Sequence, residues 1–309
     1  MKQNKLFHRE GNRLFKKGIF LFFTLIMVFM LAACGSDSGD GDDTLILGFV
    51  PSTDSDKIAD NIEPMVERLE EELDRDVEGR VMTNFSGLVE ALGNDQVHIG
   101  FIPAFGYVQA TDRYDQVEVF AKSIRDGESS YRAQYTVRAD SGIESLEDLE
   151  GTIWAFADQG STSAYLFPAA QLMDDYGVED LESYFSNQIQ TGSHDAALVT
   201  VLEGDADFAT TFEDARTNIV EDYPEAMDEL VQLDFTERIP NDTISANTNL
   251  LSEEEIAQIK EIFLGFNDDE EMINVMDEVY NWTGLDEATD EEYDIVRDVY
   301  KKFQDQFDE

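Results

Sequence analysis

The sequence predicts an α/β protein with two related lobes. Two observations support this prediction: apolar strand-like runs alternate with amphipathic helices, and one helix–turn–strand unit occurs twice. The first copy covers residues 85–107 and the second covers residues 193–215. Each copy has a short amphipathic helix, a glycine in the turn that follows (Gly93 or Gly204) and an apolar strand. The alternation favours mainly parallel sheets, which bind ligands at the carboxyl ends of their strands.

The elements before the second copy begin with a buried strand at residues 44–50, where "TLILGFV" is almost entirely apolar. Residues 55–76 are predicted as one helix, because apolar residues recur on one side of it from Ile58 to Leu73. Residues 132–140 are predicted as a strand that ends in a turn. The segment before the second repeat copy is therefore predicted to contain both strands and a helix.

The remaining elements carry recognisable start and stop signals. Glycine is typical of helix ends, and a Ser-x-x-Glu capping box is typical of helix starts. The predicted elements are a short helix, a stop at Gly151 and a strand within residues 145–157; a helix at 167–177 that ends at Gly177; a helix at 252–266 that begins with Ser252 and Glu255; and a final helix at 290–307.

The N-terminal residues have the pattern of a bacterial lipoprotein signal. Six Lys or Arg residues fall within residues 1–17, and the apolar stretch that follows, residues 19–33, is shorter than the roughly 20 residues of a spanning helix. "LAAC" then resembles a lipobox, and its Cys34 is the only cysteine of the chain. We therefore expect a signal peptide at 1–33, lipid on Cys34 and a tether at 34–43; an uncleaved membrane anchor is the alternative.

The composition indicates a folded protein with a strongly acidic surface. The net charge is −47, yet 42% of the residues are hydrophobic and 11% are aromatic, which argues against a disordered acidic tail. Such a surface repels nucleic acid and anionic lipid, and it suits a high-salt environment in which ions screen self-repulsion. A metal site is not predicted, because the cysteine and histidines lack metal-ligand spacing.

Hydroxyl residues cluster in "DQGSTSAYLFPAAQ", residues 158–171, directly before an apolar helix. Ser161, Thr162 and Ser163 can add donors to the positive end of a helix, where anions bind readily. An ordinary N-cap is the alternative, and it explains one hydroxyl. Pro168 is too deep for a first helical position, so the helix is expected to start late or to kink. His194 begins the helix of the second repeat copy and can meet an anion as a cation or as a neutral donor.

Several motifs occur together and in order: "LILGFVP", "TNFSGLVEALGNDQVHIGFIPAFGYVQA", "GSTSA", "SHDAAL" and "IPNDTISA". Over residues 44–247 the chain resembles substrate-binding proteins of ABC importers of the phosphate/phosphite/phosphonate type. The resemblance implies a two-lobed, periplasmic-binding-protein-like (type II) fold with a hinge and an interlobe cleft. Lobe 1 would hold residues 44–138, lobe 2 residues 139–237, and residues 238–309 would return to lobe 1 and form C-terminal helices.

The resemblance also implies a role and partners. The protein would capture a phosphonate, phosphite or phosphate outside the cytoplasm and deliver it to an ABC permease and its ATPase, without enzymatic activity and without a cofactor. It would be exported and held at the outer face of the cell membrane through lipid on Cys34.

The family's ligand residues can be placed on this sequence one by one. Its Ser-Thr-Ser motif falls on Ser161, Thr162 and Ser163, and its histidine falls on His194. An aromatic residue that usually faces the cleft falls on Tyr131.

Other positions depart from the family's pattern. An aromatic that is commonly tyrosine is Phe85 here, which loses a hydroxyl, and a motif resembling "GPFSY" reads "PAFGY", which keeps Tyr107. The family's acidic positions fall on Glu213 and Asp242 and can meet an amino group of the ligand, so the resemblance implies a preference for aminoalkylphosphonates. Because Lys and Arg are scarce near the motifs, we expect neutral donors to bind the anion.

Three alternatives remain open. The protein can bind another oxyanion, such as a sulfonate, or it can be a sensor lipoprotein without an importer, because the fold alone does not fix the partner. A Ser/His hydrolase is a remote alternative, since "GSTSA" is not the G-x-S-x-G nucleophile elbow.

Overall fold

Two β-sheets organise the chain. The computed structural model describes residues 44–307, so the predicted signal peptide, Cys34 and the tether lie outside the described residues. The strands within 44–307 are β1 Leu45–Phe49, β2 Val77–Val81, β3 Ile99–Ile102, β4 Val117–Ile124, β5 Ser130–Arg138, β6 Ile153–Phe156, β7 Asn187–Gln190, β8 Phe208–Phe212, β9 Leu230–Pro240, β10 Thr243–Asn247 and β11 Gly284–Glu287.

Helices connect and cover these strands. The α-helices are α1 Ser55–Asn61, α2 Glu63–Leu73, α3 Phe85–Gly93, α4 Ala104–Arg113, α5 Phe167–Asp175, α6 Leu181–Tyr184, α7 His194–Leu202, α8 Ala226–Glu229, α9 Glu253–Gly265, α10 Glu270–Tyr280 and α11 Asp294–Phe307. Short 3-10 helices cover Leu146–Leu149, Ala215–Ile219, Phe266–Asp268 and Asp290–Tyr293, and a π-helical turn covers Thr162–Leu166. None of the helices in this part of the chain is long and apolar enough to span a membrane.

The two sheets share one five-strand topology. The strand order is β11-β4-β10-β3-β1-β2 in the first sheet and β7-β6-β8-β5-β9 in the second. In each sheet three neighbouring strands are parallel, and the next strand is antiparallel to them. The two copies of the predicted repeat, α3–β3 and α7–β8, therefore occupy equivalent places, which supports two related lobes. The prediction of mainly parallel sheets is wrong, because the strands that return from the other sheet run in the opposite direction.

The chain crosses between the sheets twice, at residues 125–129 and at residues 241–242. We call the first-sheet part lobe 1 (residues 44–124 and 243–307) and the second-sheet part lobe 2 (residues 130–240). The sequence placed the first boundary after residue 138, whereas β5 pairs along its whole length with β8 and β9 of lobe 2. The boundary therefore lies one strand earlier than expected.

Asn241 holds the two crossings together. Its side-chain amide donates to the carbonyls of Ser123 and Glu128, each at 2.8 Å, and its backbone N–H donates to the carbonyl of Ser129 at 3.2 Å. The side chain is fully buried. One residue of the second crossing therefore fixes the backbone of the first.

Two predicted elements differ in detail. The helix expected at 55–76 is divided at Ile62, because Pro64, the second residue of α2, has no N–H with which to continue α1. The turn expected at Gly93 has its left-handed residue at Asp95 (φ 57°), whereas the second copy uses Gly204 (φ 82°). The capping box at the start of α9 is confirmed, since Glu255 N–H donates to Ser252 Oγ and Ser252 N–H donates to the Glu255 carboxylate.

An aromatic stack in lobe 2 fixes the segment that carries the hydroxyl residues. The Trp154 ring is almost parallel to Tyr165 and to Phe208, at centroid distances of 5.2 Å and 5.9 Å. Its indole N–H donates to Thr210 Oγ1 at 2.7 Å, and the Thr210 hydroxyl donates to the carbonyl of Ala164 at 2.5 Å. The π-helical turn is thus anchored to both neighbouring strands of the sheet.

Candidate ligand-binding site

A small cavity of about 30 Å³ lies between the lobes. Both lobes and both crossings contribute to its wall. Lobe 1 provides Val50, Ser52, Thr53, Phe85, Phe101, Ile102, Pro103, Tyr280 and Trp282; lobe 2 provides Tyr131, Ser161, Ser163, His194 and Phe212; the crossings provide Arg125 and Asp242. Since a buried water needs at least roughly 10–15 Å³, the volume suits a compact ligand.

The loop after β6 brings lobe 2 close to lobe 1. The Asp158 carboxylate accepts from Gly160 N–H at 2.7 Å and from the Gln190 amide at 2.9 Å, which shapes the loop. A Cβ on Gly160 would lie 3.0 Å from the Cβ of Phe85 and 3.1 Å from Asp158 Oδ1, tighter than ordinary contact. Glycine at this position therefore permits the approach of the lobes.

Ser161 is the N-cap of the π-helical turn. Its Oγ accepts from Ala164 N–H at 3.2 Å, and its carbonyl accepts from Tyr165 and Leu166 N–H, each at 3.2 Å. The ordinary capping interpretation thus accounts for this hydroxyl, although Ser161 also lines the cavity. The α-helix begins late, at Phe167, with Pro168 in its first turn, as the proline indicated.

Thr162 bridges the lobes. It is fully buried, and its Oγ1 accepts from the backbone N–H of Phe105 in α4 at 2.9 Å. A second bridge joins His194 N–H to the carbonyl of Ser52 at 2.9 Å. Thr162 itself does not line the cavity, so its hydroxyl serves the contact between the lobes.

His194 faces the cavity as a neutral ring. Its side chain is buried and meets Phe212 edge to face at a centroid distance of 4.9 Å. Burial, and secondarily the charge of Arg125, lowers the pKa of the imidazole to about 3. Among the described residues Nδ1 has no hydrogen-bond partner. Of the two protonation states that the sequence left open, the structure favours the neutral one at neutral pH.

Tyr131 and Ser163 contribute hydroxyls from lobe 2. Burial raises the pKa of the Tyr131 phenol, and Asp242 raises it further, while the hydroxyls of Ser163 and Thr162 partly offset this. The phenol is therefore protonated and can donate a hydrogen bond. Phe85 also lines the cavity, but at the start of α3 it offers an apolar ring only.

Arg125 is a cationic lining residue that sequence reasoning missed. Its Nη2 donates to Asp242 Oδ2 at 2.8 Å, and its Nη1 donates to the Tyr280 carbonyl at 2.6 Å. The cavity is therefore not lined by neutral donors alone. The scarcity of Lys and Arg near the motifs was misleading, because Arg125 reaches the cavity from the first crossing.

Two predicted site residues do not reach the cavity. Tyr107 is buried within lobe 1, where its hydroxyl donates to Asp290 Oδ1 at 2.8 Å and its ring packs on Tyr293. Glu213 pairs with Arg132 at 2.5 Å outside the cavity wall. Both side chains are bound to other partners, so the prediction that they line this cavity is wrong.

Residues 47–293 match the model of a family described as "ABC transporter, phosphonate, periplasmic substrate-binding protein". The chain belongs to this family. Its two mixed sheets, two crossings and interlobe cavity agree with the two-lobed fold that the resemblance implied.

One relative is similar in sequence, and two solved structures are similar in fold. The chain is 28% identical over 178 residues to a phosphate-import protein PhnD of Mycolicibacterium smegmatis, a match that covers 55% of this chain and 56% of the relative's length. A binding protein component of an ABC phosphonate transporter from Pseudomonas aeruginosa has a similar structure, with a TM-score of 0.76, 21% identity, and coverage of 86% of this chain and 87% of that one. PhnD1 of Prochlorococcus marinus, solved with methylphosphonate, has a TM-score of 0.75, 19% identity, and coverage of 85% and 98%.

Two buried donors in this family member face no protein acceptor. Arg125 Nε and the Trp282 indole N–H have no hydrogen-bond partner among the described residues, and both side chains line the cavity. Unpaired buried donors are costly, so these two groups are suited to donate to a bound acceptor. Trp282 lies beyond residue 247, where the family resemblance was weak. Arg125 directly precedes Asp126-Gly127, a typical turn sequence, which was the available signal.

Proposed function

We propose that the chain is the extracytoplasmic solute-binding component of an ABC importer for a compact phosphorus oxyanion. The observation that carries this proposal is the interlobe cavity, whose lining includes two unpaired donors, Arg125 Nε and Trp282 Nε1, and the hydroxyl residues Tyr131 and Ser163. Donors from both lobes converge on one small volume, which suits a tetrahedral anion. The names of the relatives, a phosphate importer and a methylphosphonate complex, support the same ligand class.

Calorimetry and thermal unfolding test the ligand class. Phosphate, phosphite and methylphosphonate should each be titrated, with sulfate as a competing oxyanion. Ser163→Ala should weaken binding about tenfold or more, because a hydrogen bond to a charged group contributes about 1.5–3 kcal/mol. Ser183→Ala is the matched control, since Ser183 lies in α6 outside the cavity wall. A wild-type protein that binds none of the phosphorus oxyanions would contradict the proposal.

We infer further that lipid on Cys34 holds the protein at the outer face of the membrane, with residues 1–33 removed and 34–43 as tether. The lipobox-like "LAAC" supports this. Cys34→Ser should give a protein that leaves the detergent phase once its leader is removed, because acyl chains supply the anchoring. Continued partition of the mature variant into detergent would contradict the anchor.

Delivery to a permease and ATPase is the proposed fate of the ligand, and a sensor lipoprotein is the competing one. Uptake of the ligand by vesicles that contain the cognate permease separates the two. The hydrolase alternative is disfavoured, because a catalytic histidine needs an acid on its second nitrogen, whereas His194 Nδ1 has no partner among the described residues.

A further inference from the structure

Arg125 is fixed at the cavity by partners from every part of the site. Its Nη2 donates to Asp242 on the second crossing, and its Nη1 donates to the Tyr280 carbonyl in lobe 1, at 2.8 Å and 2.6 Å. Both ion-pair side chains are only 15% exposed. Because the fork of a guanidinium is rigid, these two bonds also fix the directions of its other N–H groups, among them the unpaired Nε.

Two aromatic rings of lobe 2 complete this arrangement. The guanidinium carbon lies 5.3 Å from the ring centre of Tyr131 and 5.2 Å from that of Phe212. The three residues line the inner cavity and also an outer cavity of about 480 Å³. Arg125 and its two rings therefore form the partition between a compact inner space and a larger outer one.

The charges of the inner cavity are nearly balanced. Arg125 is the only Lys or Arg among the described residues that line it, and Asp242 is the only Asp or Glu. His194 adds no charge at neutral pH, since its pKa is about 3. The Asp242 carboxylate already has a cationic partner, so an ammonium held inside the inner cavity would have to displace Arg125 or remain unpaired.

We propose that Arg125 determines ligand selectivity. Its Nε donates to the bound oxyanion, while its Nη2 stays paired with the Asp242 carboxylate, so that the site excludes phosphonates bearing an ammonium group. This inference rests on the proposed function and narrows it to bare or short-alkyl phosphorus oxyanions. It replaces the expectation of an aminoalkylphosphonate, because both acids expected to meet an amino group are paired with arginine.

The test compares methylphosphonate with 2-aminoethylphosphonate by calorimetry. The wild type should bind methylphosphonate at least tenfold more tightly. Arg125→Gln should weaken methylphosphonate binding about tenfold or more and should reduce the ratio of the two affinities by at least tenfold, because Asp242 becomes free for the ammonium. The double variant Arg125→Gln/Asp242→Asn should lose the ammonium-dependent part of 2-aminoethylphosphonate binding.

Arg138→Gln is the matched control. It also removes a guanidinium that donates to a carboxylate, that of Asp140, and to a carbonyl, that of Leu202, but none of these residues lines either cavity, so both affinities should stay within twofold of the wild type. If Arg125→Gln does not fold, Arg125→Lys carries the test, because lysine keeps the charge and lacks Nε; it should weaken methylphosphonate binding and retain the exclusion of the ammonium ligand.

The outcomes separate this inference from the proposed function. An unchanged affinity ratio in Arg125→Gln, or an unchanged methylphosphonate affinity in Arg125→Lys, overturns the inference while wild-type binding upholds the function. A wild type that binds no phosphorus oxyanion overturns both.

Discussion

Replacing Thr162 with valine should weaken ligand binding by disfavouring the closed arrangement of the lobes. Valine keeps the shape of threonine but removes the oxygen that accepts from Phe105 N–H at 2.9 Å. Thr162 is fully buried, so the loss of this hydrogen bond should cost about 1–3 kcal/mol. If the lobes open, water can reach that amide, and the cost falls on the closed state alone.

The expected size follows from this difference. Ligand binding uses the closed state, so a cost of about 1–3 kcal/mol raises the dissociation constant roughly 5- to 150-fold. The free energy of unfolding of the ligand-free protein should fall by less, because opening relieves the penalty. Calorimetry with methylphosphonate measures the first quantity, and chemical denaturation measures the second.

Thr236→Val is the matched control. The Thr236 hydroxyl also accepts from a buried backbone N–H, that of Ala133 at 3.0 Å, but both residues belong to lobe 2. This variant should lower the free energy of unfolding and leave the dissociation constant within twofold of the wild type. A Thr162→Val protein with wild-type affinity, or equal weakening by both variants, would refute the reasoning.

Three further predictions concern pH and closure. The pKa of His194 is about 3 in the folded protein, below its unfolded value, so its contribution to the free energy of unfolding is complete above about pH 6.5 and is lost as pH falls. In chemical denaturation, the free energy of unfolding of His194→Gln should therefore gain about 1.4 kcal/mol per pH unit relative to the wild type from about pH 6.5 towards 4. A constant difference between the two proteins would contradict this. Asp195 lies in the first turn of α7, where burial raises its pKa to about 6. Its contribution to the free energy of unfolding is therefore lost as pH rises from about 4 through 6, and the stability advantage of the wild type over Asp195→Asn should shrink over that range. Gly160→Ala should weaken methylphosphonate binding severalfold with little change in the melting temperature, because the added Cβ would crowd Phe85 of the other lobe; unchanged affinity would mean that the lobes can adjust.

Local sequence motifs predicted the parts of the site that depend on short-range structure. Ser161, Ser163 and His194 each lie at the start of a helical segment directly after a strand, and the topology brings both segments to one edge of the lobe 2 sheet. The hydroxyl cluster, the repeat and the family resemblance indicated these residues, and they lie together because the ends of neighbouring parallel strands meet at one edge.

Side-chain direction was less predictable. Tyr107 and Tyr131 were both expected at the cleft, but only Tyr131 reaches it. Tyr107 lies on α4, where the packing of Tyr293 and the acceptor Asp290 turn it into lobe 1. Asp290 lies 183 residues along the chain from Tyr107, and Tyr293 lies just beyond it, so no local pattern could indicate these partners.

The position of Arg125 explains how an acidic protein can hold an anion. A chain with a net charge of −47 was expected to rely on neutral donors, yet one arginine lines the inner cavity. Its acceptors, Asp242 and Tyr280, lie 117 and 155 residues away, so only the assembled lobes reveal its role. Within a buried cavity the nearby guanidinium and hydroxyls act through a low dielectric, whereas the distant surface carboxylates act through water and salt. The fold thus places the Arg125 guanidinium at the cavity, apart from the carboxylates of the surface.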